Sequence, residues 1–479
     1  MKADSNTLTK IRRNVISLLG GDFLNKVSTF LVYAMLARHA DAYRLGQLSL
    51  GLMLLYTFQV FAASGLPIEI SRNVARRPNG ARRLLIHGYI AVLVPAFLAT
   101  IAMVLFSHLM GFGDSTTRLI LILSFAILPC ALATIAEAVI RGREKMHLIV
   151  LANAPGNCGM VIAAYIVLSL GFGVSAIGLV IVVAKIITFV CLHCIQFRQP
   201  PLNRKCHRIR LAFAWRMLRR SLVFLGSDSV IVIWSSLDAL LLSVFATERE
   251  IGLLGASFQL LQPTRMFYQC LGHSCFPALC SAAMVSREQV AILSHVLIGF
   301  LLRLCIPATV TIWVVAGDAL ATIYGNEDFR AGAIALRILS LTLLLDIVCT
   351  VLGRSLWAMS QEKVVLKAVV INLMISLVIG IVLISRFGLI GAAVSVLLSS
   401  ALNVFQHCYY FYRVTRHFSI WSELIAILPA ALAMMLVVVC APAYLYLNLL
   451  LALIVYFVFA FPKQWYSVLR LGSSRHKAT

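Results

Sequence analysis

Charged side chains stand in segments of this sequence that are otherwise strongly apolar. Lys26, Lys185, Arg265, Arg303 and Asp346 fall near the middle of such segments, and Asp228, Asp238 and Arg337 nearer their ends. A charge at the centre of a lipid-embedded helix costs about 2.5–3.5 kcal/mol on insertion scales, so those that persist usually face protein or water. Arg265 can present a planar fork of donors to an oxyanion, and Lys26 a point charge. Pro263, two residues before Arg265, lacks a backbone donor and can bend a helix beside that charge. Gln259, Gln262, Tyr268, Gln269 and His273 add neutral hydrogen-bonding groups to the same segment. The chemistry open to such a set is noncovalent capture of a ligand. Plain charge pairing is the alternative: Asp22 and Lys26 are four residues apart on one helical face, and Arg265 could be tied to Asp228 or Asp238. Glu137 and Arg141, also four apart, read as an ordinary ion pair.

Covalent and metal chemistry have less to stand on. The sequence contains no nucleotide loop, no zinc motif of standard spacing and no nucleophile elbow. Of its 12 cysteines, all but one lie within or at the ends of apolar segments, where Cys acts as a small apolar residue. Cys191 and Cys194, with His193 between them and Cys206-His207 downstream, only faintly resemble a ligand spacing. Neither a metal nor a cofactor is expected.

The elements that must position the charges follow from composition. Of 479 residues 61% are hydrophobic and 12% charged, with mean hydropathy +0.94, more apolar surface than a soluble domain can hide. The apolar residues fall in blocks of about 20–25, enough to cross ~30 Å of hydrocarbon as helices. Fourteen spans are predicted: 14–37, 45–66, 84–110, 118–140, 148–170, 174–196, 221–246, 251–280, 293–316, 333–357, 364–384, 388–411, 420–440 and 443–462. The first is too long, and too interrupted by Asp22, Asn25 and Lys26, for a cleaved signal peptide.

Alternate loops carry 29 and 5 basic residues, which puts the richer set, and with it both termini, in the cytoplasm. The same asymmetry accounts for the net charge of +23 without nucleic acid. A weak repeat runs through the spans: Leu19-Gly20-Gly21-Asp22 returns as Leu225-Gly226-Ser227-Asp228, and Gly46 as Gly252. Arg143-Glu144-Lys145 parallels Gln361-Glu362-Lys363, and Phe172-Gly173 parallels Phe387-Gly388. Six spans per repeat give both halves one orientation, hence a pseudo-twofold axis along the membrane normal. The expected fold is an all-α integral membrane protein of about fourteen transmembrane helices, with two pseudo-symmetric six-helix lobes around a central cavity. The lobes occupy 1–200 and 221–415, joined by a basic cytoplasmic linker at 201–220; residues 416–479 add two helices and a tail. Ile209, Phe213 and Met217 alternate with arginines in and beside that linker, a pattern suited to anionic headgroups.

Leu36-Ala37-Arg38 followed by Leu45-Gly46-Gln47-Leu48, Asp238, and Ile251-Gly252-Leu253-Leu254-Gly255-Ala256 are ordered landmarks. Ile323-Tyr324-Gly325 with Phe329, Asn372, and Phe387-Gly388-Leu389-Ile390-Gly391 continue them. Over roughly residues 10–415 this pattern resembles the polysaccharide flippases of the multidrug/oligosaccharidyl-lipid/polysaccharide exporter superfamily. The resemblance implies a bacterial inner-membrane flippase that moves a polyprenyl-diphosphate-linked oligosaccharide between leaflets by alternating access, and not an enzyme. It implies that helices 1, 2, 7 and 8 line the cavity, where Arg265 and Lys26 would receive the diphosphate and Gln262, Tyr268 and Gln269 the sugars. It also implies a coupling ion, Na+ or H+, at Asp238, Asn372 and Ser376. Ser376 stands where those relatives carry a second acid. In helix 12, Gly391, Ser395 and Ser399 form a small-residue stripe suited to close packing. Anionic lipids and polysaccharide assembly proteins are the expected partners. Peptidoglycan lipid II transport and drug or cation export by the same superfamily remain open. So does a membrane-embedded ligase or glycosyltransferase, although the longest external loops are only about 16 residues (317–332).

Overall fold

In hydrocarbon a peptide group has no water to bond, so an apolar block must satisfy its backbone internally, and a helix does so. The computed structural model describes residues 5–76, 78–198 and 210–416, with isolated positions between 429 and 460. Regular structure among them is entirely helical: α1 (Ser5–His39), α2 (Ala42–Ala63), α3 (Leu66–Arg76), α4 (Ala81–Leu109), α5 (Asp114–Ser124), α6 (Ile127–Gly142) and α7 (His147–Ser169), then α8 (Val174–Arg198), α9 (Leu211–Phe245), α10 (Glu248–Val285), α11 (Arg287–Tyr324), α12 (Ala333–Ala358) and α13 (Glu362–Thr415). The first twelve predicted spans map onto these helices. The last two, 420–440 and 443–462, lie almost wholly outside the described residues, as do linker residues 199–209 and the side chains of Asp228 and His273. Among the described residues eight segments are long and apolar enough to cross a membrane by length and composition. The chain is a multi-pass membrane protein.

Two breaks have local causes. The fourth span is split between α5 and α6 at Phe125–Ala126, one turn before Pro129, which cannot donate to the Phe125 carbonyl and crowds it. Helix α13 holds two spans joined at Gly388, whose φ of +51° lies in the region that favours glycine. A side chain there would also meet the Glu250 carboxylate, which accepts a 3.0 Å hydrogen bond from the Leu389 amide. Glu250 thus satisfies an orphan donor at the start of the second span and complements the positive end of its dipole.

The chain forms two compact units, Met1–Gln262 with Gly317–Ala335 and Val369–Val396, and Pro263–Ala316 with Leu336–Ala368 and Leu397–Thr479. In the first unit α2 crosses α10 at backbone contact. A Cβ on Gly46 would overlap the Glu248 carbonyl oxygen, and one on Gly252 the Ala42 carbonyl oxygen. The same atoms would lie 3.0 Å from the Gly252 nitrogen and 2.8 Å from the Gly46 nitrogen. Positions 46 and 252 are repeat mates, and so are 42 and 248, so the contact reads the same in both directions.

Other landmarks sit at the same end of α2 and α10. The Arg38 Nε donates to the Ile323 carbonyl at 3.0 Å, its stem packs on Gly325 (φ +68°), and the Tyr324 hydroxyl donates to the Ala256 carbonyl at 2.9 Å. Arg38 therefore serves the exposed carbonyl end of α11. Residues 211–220 are the opening turns of α9: Met217 is buried, and Phe213 meets the His87 ring edge-on at 4.9 Å with Arg83 over its face at 4.4 Å. His193, from the cysteine-flanked motif, packs among Tyr89, Phe189 and Phe197. In the second unit Ser294 and Ser355 share a buried 2.7 Å hydrogen bond, and the Arg337 Nε donates to the Trp313 carbonyl at 3.0 Å.

Candidate functional site

Helices α1, α2, α9 and α10 wall a cavity of about 500 Å³ in the first unit. These are the first, second, seventh and eighth spans, the set that the resemblance implies. Helical spacing selects the lining. Ser49, Leu52, Met53, Tyr56, Gln59 and Val60 recur every three or four residues on α2, and Ile251, Leu254, Gly255, Phe258, Gln259 and Gln262 do so on α10. Tyr33 from α1 and Ser236 and Ala239 from α9 complete the wall, and the Thr57 hydroxyl donates to Ser236 at 3.1 Å. None of these lining residues is an acid or a base. Two tyrosine rings and a phenylalanine offer flat apolar faces, and three glutamines and two serines offer neutral donors and acceptors. That combination suits a large, uncharged, hydroxyl-rich ligand.

Of the residues singled out from sequence, Gln262 and Gln259 lie in this wall. Lys26 is half-buried on α1, seven residues before Tyr33 and so on the same face about 10 Å along the axis. Asp22 is exposed, and among the described residues the two form no ion pair. Tyr33, Tyr56, Gln59, Ser49 and Ser236 were not singled out. The polar members of the α2 stripe were the available signal, since they recur on one face of an otherwise apolar helix.

Arg265 and Tyr268 belong to a cluster in the second unit. The Arg265 Nη2 lies 3.7 Å from the Asp346 Oδ2 and 3.3 Å from the Thr342 hydroxyl. The Tyr268 hydroxyl donates to the same carboxylate at 3.3 Å. Among the described residues, which do not include the side chain of Asp228, Arg265 meets an acid in Asp346 on α12. Thr342 and Asp346 are one turn apart there, as Arg265 and Tyr268 are on α10. The Arg265 and Asp346 side chains keep 17% and 28% of their surface exposed. Gln269 is half-buried, with no hydrogen bond among the described residues.

The expected ion-coupling residues occupy the first unit. Asp238 accepts a 2.8 Å hydrogen bond from Ser395, a member of the small-residue stripe on α13. Asn372 is fully buried, and the Ser376 hydroxyl is buried with no hydrogen-bond partner among the described residues. Carboxylate, hydroxyl and amide oxygens are the donors a hard cation takes.

The profile of a family described as "Polysaccharide biosynthesis protein" matches residues 11–283. A probable low-salt glycan biosynthesis flippase of Haloferax volcanii, Agl15, is 28% identical over 179 residues, 37% of this chain and 38% of that protein. The match thus spans well under half of that relative's length. The fold is similar to that of the lipid II flippase MurJ in its inward closed conformation, with a TM-score of 0.70 at 16% identity, over 94% of this chain and 98% of that one. It is similar also to an inward-facing multidrug resistance transporter of the MATE family, with a TM-score of 0.65 at 14% identity, over 84% of this chain and 100% of that one.

Proposed function

Because the chain belongs to the polysaccharide biosynthesis protein family, we propose that it is a flippase carrying a polyprenyl-diphosphate-linked oligosaccharide from the cytoplasmic to the outer leaflet. The cavity carries the reading: its aromatic faces and neutral amides suit sugars, and among the described residues its lining holds no acid. For the diphosphate, Arg265 of the second unit is the proposed fork of donors. Alternating access would follow from parting of the α2–α10 crossing, which lies beside the cavity residues Ser49 and Ile251. The test uses purified protein in liposomes and a fluorescent oligosaccharide on a polyprenyl diphosphate. Tyr56→Ala and Gln259→Ala should each slow its transfer about tenfold, the loss of ~1–1.5 kcal/mol of ring or hydrogen-bond contact, and slow bare polyprenyl diphosphate far less. Equal slowing of both lipids would remove the sugar assignment, and transfer only of lipid II would name a peptidoglycan cargo.

The bacterial cytoplasmic membrane, with both termini inside, is the proposed setting; it rests on the basic residues of alternate loops. Reporter fusions after Thr117 and after Arg413 should read outside and inside respectively. A common location for both would break this topology.

An ion gradient is the proposed drive, with the ion held at Asp238, Ser395, Ser376 and Asn372. Asp238→Asn should leave membrane abundance intact, slow transfer about tenfold or more, and abolish its stimulation by sodium or protons, since a carboxylate–cation interaction is lost. An ion dependence identical to that of the wild type would return Asp238 to a purely structural part.

A further inference from the structure

A carrier that delivers cargo must return empty, and an arginine that bound an anion then needs another counter-charge inside the membrane. We propose that Asp346 is that counter-charge: its carboxylate occupies the Arg265 fork on the cargo-free leg and is displaced by the cargo diphosphate. The inference rests on Arg265 being the diphosphate site.

The pair compensates charge without a tight bond. Charge-assisted N–H···O bonds run about 2.7–2.9 Å. Surface pairs of this chain reach that range, Arg141–Glu137 at 2.8 Å and Arg330–Asp318 at 2.9 Å. Arg265 and Asp346 stand at 3.7 Å, close enough to compensate charge and too far for a tight bond. Each member also has a neutral partner that remains when the pair opens. Thr342 accepts from Arg265 at 3.3 Å, and Tyr268 donates to Asp346 at 3.3 Å. Breaking a buried pair ordinarily strands two charges. Here the arriving diphosphate takes the arginine, and the tyrosine hydroxyl stays on the acid. Among the described residues, titratable groups acting on the pair include the thiol of Cys349 beside Asp346 and that of Cys305 beside Tyr268. Among the described residues the arginine is thus the cation set against Asp346.

An internal competitor weakens cargo binding and speeds release, so its removal should do the reverse. Asp346→Asn protein should bind undecaprenyl diphosphate about tenfold more tightly than wild type while transferring it about tenfold more slowly, a coupling of ordinary size. Unchanged or weaker binding with wild-type transfer would overturn the proposal. Should Asp346→Asn fail to accumulate, the wild-type protein supplies the test. Labelling of Asp346 by a membrane-permeant carbodiimide should rise at least about fivefold when undecaprenyl diphosphate is added, and not with the monophosphate lipid. Labelling indifferent to the diphosphate would overturn it equally. The underlying site is tested separately: if Arg265→Ala binds undecaprenyl diphosphate as wild type does, the diphosphate site is misplaced. If Arg265→Ala loses binding while Asp346 passes neither test, only the competitor role falls.

Discussion

Arg265→Ala should insert, fold and reach wild-type abundance, yet deliver about 10- to 100-fold less cargo to the outer leaflet. The magnitude follows from the hydrogen bonds lost: those to charged groups are worth about 1.5–3 kcal/mol, and each 1.4 kcal/mol is a factor of ten. Folding should survive because the partner is not sealed in. Asp346 keeps 28% of its side-chain surface exposed and retains the Tyr268 hydroxyl. Arg265→Lys should recover part of the loss, since the charge remains while the two-pronged fork does not. Surface carbohydrate per cell, divided by transporter abundance, gives the comparison. Normal output from a well-expressed Arg265→Ala would remove the diphosphate site from α10, and an Arg265→Lys as poor as Arg265→Ala would argue for shape over charge.

How much of this was legible beforehand varies with the distance over which the determining physics acts. Span positions depend on a 20-residue apolar sum, and the first twelve reappear as helices for that reason. The split at Pro129 and the reversal at Gly388 are backbone effects of single residues, and the Phe387-Gly388 landmark marked the second. Partner choice across helices is different, because it depends on which faces meet, and one chain does not print that. The sequence offers Arg265 the acids Asp228 and Asp238 of the preceding span; among the described residues it meets Asp346 on α12, and the side chain of Asp228 lies outside them. Asp238 was grouped with Asn372 and Ser376, and its hydrogen bond goes to Ser395, which read as a packing residue. Cavity residues divide along the same line. Gln259 and Gln262 stood out because amides are rare in apolar helices, whereas Tyr33 and Tyr56 were hidden among many aromatic residues that merely face lipid. Gly46 and Gly252 were visible as repeat mates, but that they touch is a property of the folded chain alone.

That contact yields the largest stability effect. Gly252→Val places a branched side chain where the Ala42 carbonyl oxygen already lies, and Gly46→Val does the same against Glu248. A flexible side chain could turn aside, but a backbone carbonyl cannot, so α2 and α10 must separate along their crossing. The cost should reach or exceed the upper end of ordinary overpacking, roughly 3 kcal/mol, more than a hundredfold in a folding equilibrium. Gly159→Ala is the matched control: nothing lies within 4 Å of its Cβ, and alanine is the better helix former by about 1 kcal/mol. Folded, monodisperse yield and melting temperature in detergent should therefore collapse for both valine variants and hold for Gly159→Ala. Because the crossing adjoins the cavity at Ser49 and Ile251, any valine protein that survives should be biased towards the parted arrangement. A cysteine introduced at Ser49, just inside the crossing, should then react with a membrane-impermeant thiol reagent added from that side, and its wild-type counterpart should not. Valine variants as abundant and heat-stable as wild type, with Ser49→Cys still protected, would mean that the helices do not meet at Gly46 and Gly252.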